Sequence, residues 1–139
     1  MPSNVVDYQK INGQKTDWFI VLPAALQSTA TRTSGNFNNL NASGMILTVV
    51  VGNEAGACSY TPSVATLDAF GGVITLWTAA APITANGTYT YALSGTTFTN
   101  ASFTQIAQLL LPRVWYVVLT YAGTPANDKM DTKVSACLI

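Results

Sequence analysis

The apolar positions of this chain come in short dense runs or alternate with polar ones, and glycine, proline and asparagine separate the runs. The densest run lies within residues 109–121, LLLPRVWYVVLTY. Pro112 stops whatever precedes it, and Arg113 to Tyr121 is almost all β-branched or aromatic before Gly123 and Pro125 close the segment. Val114, Val117, Val118 and Thr120 argue against a helix, because branching at Cβ restricts χ1 against the preceding turn. The run predicts the central strand of a β domain, buried on at least one face.

Six further strands follow from the same patterns. Residues 18–26 (WFIVLPAAL) form one, and Pro23 requires an edge position or a bulge because it has no N–H to give a ladder. A polar loop over 29–44, rich in Ser, Thr and Asn, leads to a strand over 45–51 (MILTVVV). Such a long loop in a compact domain suggests a contact surface or a functional segment. Over 59–70, Val64, Thr66 and Asp68 alternate with Ala65, Leu67 and Ala69, and Gly71-Gly72 separates this strand from 73–78 (VITLWT). Asn86-Gly87 signals a turn. Residues 88–93 (TYTYAL) then set Tyr89, Tyr91 and Leu93 on one face and the threonines on the other. The last strand spans 131–139.

One segment departs from this rhythm. Ser102 and Gln105 have the spacing of a capping box, and Phe103, Ile106 and Leu110 share a helical face, which predicts one short helix near residues 103–110 ended by Pro112. About seven strands and this helix make an all-β domain over 18–139, an antiparallel β-sandwich of jelly-roll or Ig-like type. Residues 1–17 hold Asp7, Lys10, Lys15 and Asp17 without a sustained period. They read as an extended N-terminal arm that orders against something else.

Composition narrows the function. At 139 residues the chain fits one domain with a real core. Charged residues make up 9%, against about 25% in an ordinary soluble domain, and the six basic and six acidic residues cancel. Without a basic surplus, nucleic acid is not an expected partner. A neutral, charge-poor surface favours association, so an obligate assembly is expected. No segment reaches the roughly 18 consecutive apolar residues of a membrane span. The N-terminal residues lack the apolar core of a signal peptide, and a cytoplasmic site of synthesis is expected, with Cys58 and Cys137 as free thiols. Cys137, in the apolar stretch VSACLI, reads as a buried structural thiol.

The side chains that carry chemistry are sparse. The absence of histidine removes Ser-His-Asp and Cys-His arrangements and most zinc sites. Glu54 and Asp68 flank one strand, which raises an acid/base pair against two solvated strand-end carboxylates. The second reading is the stronger. Asp128, Lys129 and Asp131 form a charged turn with too few regularly spaced oxygens for calcium. Asn41, Asn86 and Asn100 each begin an Asn-x-Ser/Thr triplet, a pattern that a Thr-rich chain with Asn-led turns produces by chance. Trp18, Trp77 and Trp115 raise a sugar-stacking platform, although Trp115 fits the core better. No cofactor, metal or catalytic residue is expected. The candidate interface residues are Val5, Val6, Tyr8 and Ile11 in the arm, with Tyr89 and Tyr91 on the Thr/Tyr strand.

The order of segments resembles small virion structural proteins of tailed bacteriophages. The stretches that carry the likeness are 44–51, 73–78, Asn86-Gly87-Thr88-Tyr89, Leu111-Pro112-Arg113-Val114-Trp115 and Ala136-Cys137-Leu138-Ile139, within residues 24–139. Leu-Pro-Arg-x-Trp is the most specific piece. The chain departs from the pattern in the longer FTQIAQLLL before Pro112 and in the cysteine near its end. The resemblance implies a non-enzymatic β-sandwich in the virion, a capsid decoration (cement) protein on the major capsid lattice. A tail or neck component is the runner-up, and a carbohydrate-binding adhesin module is the alternative from another class. By the same analogy the protein is expected to be a homo-oligomer, a trimer on three-fold lattice sites.

Overall fold

The structure is a computed structural model, and it describes residues 18–39, 42–95, 102–124 and 127–139. These form ten strands: β1 (Phe19–Ser28), β2 (Arg32–Thr33), β3 (Phe37–Asn38), β4 (Gly44–Ala55), β5 (Ser59–Leu67), β6 (Val73–Thr78), β7 (Gly87–Ser94), β8 (Gln105–Gln108), β9 (Val114–Ala122) and β10 (Lys129–Leu138). They assemble into two sheets, one ordered β1-β10-β4-β7-β8 and the other β2-β9-β5-β6, with β3 also pairing with β9. All pairings are antiparallel except that of β7 with β8. The pairs are nested. The first strand pairs with the last, β2 with β9, β4 with β7, and β5 with β6, and successive pairs fall in alternate sheets.

Seven of the strands, β1, β4, β5, β6, β7, β9 and β10, are those the alternation predicts. The other three come from segments that read otherwise. β2 and β3 are two-residue bridges from the polar loop onto β9, and they place β9 inside its sheet between them and β5.

β8 replaces the helix expected near residues 103–110, which does not form. The reason is a free strand edge. β7 presents its unpaired side to this segment: Thr104 N–H donates to Thr90 C=O, Leu109 N–H donates to Ser94 C=O, and Tyr91–Ser94 pair with Gln105–Gln108 between them. An isolated helix of eight residues is below the length at which helices hold in water, whereas the edge satisfies these backbone groups at once. The side chains then follow a period of two. Ala107 packs on the core and Leu109 and Leu111 are buried, while Ile106 and Leu110, on the expected helical face, are exposed.

One core lies between the sheets. Met45, Leu47, Val49 and Val51 of β4 and Met130, Val134, Ala136 and Leu138 of β10 meet Trp115, Val117 and Leu119 of β9 and Tyr60 and Val64 of β5. Trp115 is fully buried, stacked on Phe37 with ring centroids 4.9 Å apart and flanked by Phe19 at 6.3 Å. β1, which carries Pro23, is an edge strand and is also bulged, with three register shifts against β10. Both outcomes that proline permits are realised.

Candidate interface surfaces

Glu54 lies at the end of β4 and Asp68 follows β5, so the nine residues of β5 hold them apart by about 30 Å at ~3.3 Å per residue. They form no acid/base pair. Asp68 accepts the N–H groups of Phe70 and Gly72, both at 2.8 Å, and so closes the β5–β6 turn on itself. Asp128 accepts from Thr124 N–H at 2.8 Å and Ala57 N–H at 3.0 Å, tying the loop before β5 to the loop before β10. Asp131 accepts from Gln27 N–H at 2.7 Å and Asn53 Nδ2 at 2.6 Å. These bonds favour the charged form. The pKa of Asp128 is lowered by the Thr124 and then the Ala57 N–H, and that of Asp131 by Gln27 and then Asn53. Three carboxylates are thus structural acceptors.

The cations and thiols read the same way. Arg32 donates through Nη1 to the carbonyl and Oγ1 of Thr132 and through Nη2 to the carbonyl of Pro23, joining the end of one sheet to the other. Partial burial lowers its pKa, against a smaller opposing effect of Tyr60. Cys58 and Cys137 form no disulfide with each other, and burial pushes the Cys58 thiol up. Cys58 is the buried one, whereas Cys137, expected inside, is only half-buried, because its place in β10 alternates with the inward Ala136 and Leu138. Among the described residues no three His, Cys, Asp or Glu side chains come together to hold a metal.

The aromatic candidates separate. Trp115 and Trp77 are buried and only Trp18 is exposed, so the three tryptophans make no common platform. Tyr91, at 2% exposure, packs edge-on against Trp77 with centroids 5.2 Å apart, and burial pushes its pKa up to about 12. It therefore lies in the inter-sheet core. Tyr89 is half-buried against the same core and donates its hydroxyl to Ala85 C=O at 2.7 Å. The face of β7 turned inward is the tyrosine face. Val5, Val6, Tyr8 and Ile11 lie outside the described residues.

The apolar surface that remains uncovered is elsewhere. Beside the bulged β1, a groove of about 340 Å³ is lined by Ile20, Leu22, Pro23, Ala24, Val50 and Lys133, among others. At the far end of the other sheet, the β5–β6 hairpin presents Phe70 (98% exposed), Val73 (65%), Ile74 (46%) and the exposed Leu67. Sequence reasoning reads 73–78 as a plain apolar strand. The one signal of an exposed tip is Phe70 immediately before Gly71-Gly72, a large aromatic in a turn. No family model matches the chain, and neither a curated protein nor a solved structure matches it.

Proposed function

We propose that the chain is a non-enzymatic structural protein of a bacteriophage particle, a capsid decoration protein that binds the major capsid lattice and associates with copies of itself. The observation that carries this reading is the nested strand pairing. With β3 and β8 set aside, eight strands pair first with eighth, second with seventh, third with sixth and fourth with fifth, and the pairs alternate between the sheets. That order supports a jelly roll over an Ig-like sandwich, and jelly rolls recur in viral capsid and lectin domains. Fold alone does not carry function, so the surface must agree with it. It does: Asp68, Asp128 and Asp131 brace loops, and the β5–β6 hairpin leaves Phe70, Val73 and Ile74 exposed.

On this reading the arm, residues 1–17, reaches a neighbouring virion subunit through Val5, Val6, Tyr8 and Ile11, giving up its conformational entropy on binding. The lectin alternative is weakened by the burial of Trp77 and Trp115. The test is co-sedimentation of purified protein with capsids of the source phage that lack it, run beside a glycan array. Saturable binding to capsids is the expected result. Glycan binding without capsid binding would replace this reading with the adhesin one.

A further inference from the structure

Four strand edges bound the two sheets, and three of them are blunted. β1 carries Pro23 and three register shifts, β8 has four residues, and β2 has two. Short strands, proline and bulges are the usual devices that keep an edge from pairing with another chain. β6, with six residues, is longer than β8 or β2 and has no proline. Val73–Thr75 contains no proline or charge, and the one irregularity in its pairing with β5 lies beyond, where Val64 pairs with Trp77 and Ala65 with Thr75. No described residue pairs with its outer side.

The direction of the backbone groups follows from the turn. Asp68 N–H donates to Gly72 C=O at 2.8 Å, so Gly72 faces β5. An antiparallel ladder alternates, which turns the N–H and C=O of Val73 and Thr75 outward and those of Ile74 inward. We infer that β6 pairs antiparallel with β6 of a second copy of this chain, across a two-fold axis at Ile74. Val73 of each copy then lies opposite Thr75 of the other. Each such pair exchanges two N–H···O bonds, which uses all four outward groups of Val73 and Thr75 on each strand. The two Ile74 residues meet as a non-hydrogen-bonded pair, with Cα atoms about 4.5 Å apart.

The second copy is the favoured occupant because of charge. A two-fold contact sets every group near the axis against its own duplicate, so a single lysine or carboxylate there repels itself. Between Asp68 and Arg113 this chain has no charged residue at all. The surface is also apolar, with Val73, Ile74, Phe70 and Leu67 exposed around the axis. An isologous contact closes on itself as a dimer, so a trimer would have to use a different surface.

This inference rests on the reading of the chain as a self-associating structural subunit, and mass separates it from capsid attachment. The full chain is examined by sedimentation equilibrium at micromolar concentration, as wild type, Thr75→Pro, Ile74→Lys and Ile74→Glu. Wild type should give twice 14.7 kDa. Thr75→Pro removes an outward N–H and should give the monomer mass. Ile74→Lys and Ile74→Glu should each be monomeric and form a mixed dimer when combined at low salt, which a folding defect would not produce. A monomeric wild type, or a dimer that persists in both Ile74 variants, would overturn the two-fold pairing. Capsid binding by the monomeric variants would leave the attachment reading intact.

Discussion

Gln27 and Asn53 sit on different strands, both with left-handed backbone (φ 50° and 49°), and both bond to the single carboxylate of Asp131. The arrangement has a geometric cause. β10 runs between β1 and β4, and the register slips beside Asp131 on both sides: between Ala25 and Ser28 on β1, and, just before Asp131 pairs with Gly52, between Gly52 and Ala55 on β4. Non-glycine residues adopt such φ values at a cost of about 1–2 kcal/mol unless something holds them. Asp131 holds both bulges at once.

The linkage to pH follows. Hydrogen bonds that favour the carboxylate place the folded pKa of Asp131 below its ordinary value of 3.8. The unfolded chain therefore takes up its proton first as pH falls. The stabilisation is fully present well above 3.8 and is lost as pH drops through the folded pKa. Asp131→Asn should lower the melting temperature at pH 7 and flatten its decline between pH 5 and acid. An unchanged slope in thermal melts across that range would remove Asp131 from this role.

Gly56 stands against Asp128 on the other loop clamp. Its φ is +81°, and a Cβ there would come within 1.9 Å of the Asp128 Oδ1 that accepts from Ala57 N–H. Gly56→Ala should cost at least about 1–2 kcal/mol from the backbone alone. Denaturant unfolding measures it, and a stability equal to wild type would show that the loop relaxes freely.

Trp115 joins three strands, through Phe37 of β3 and Phe19 of β1. Its indole N–H finds no acceptor among the described residues, so its contribution is packing. Trp115→Ala should destabilise by about 3–5 kcal/mol, and Trp115→Phe by clearly less because most of the ring volume stays. Equal losses for the two variants in urea titrations would contradict a packing role.

The arm supplies a prediction of the opposite kind. Removing residues 1–16 takes away none of the described core, and the melting temperature should stay within about 2 °C, a change of well under 1 kcal/mol. Binding to undecorated capsids should fall at least tenfold. Full binding by the shortened chain would move attachment to the sheet surfaces.

What the sequence by itself determined is local. The period-two pattern of 88–93, the β-branched run of 113–121 and the glycines and prolines between runs suffice for seven strands, because side-chain alternation and turn chemistry act over a few residues. The burial of Trp115 was legible for the same reason. Pro23 marked a strand that had to be an edge or bulged, since the missing N–H constrains any ladder it enters.

Tertiary structure decided what depends on neighbours far along the chain. Residues 105–108 became a strand because the edge of β7 was open to them, and two-residue bridges formed at Arg32 and Phe37 because β9 had a free side. Tyr91 went inward and Val73 and Phe70 stayed outside, although all sit in apolar or aromatic surroundings in the sequence. Asp131 is an ordinary charged turn residue until β1 and β4 both arrive beside it. The physical reason is common to all four. A backbone edge, a core face or a shared acceptor exists only once strands distant in sequence have paired, and the periodicity of one segment carries no record of its partners.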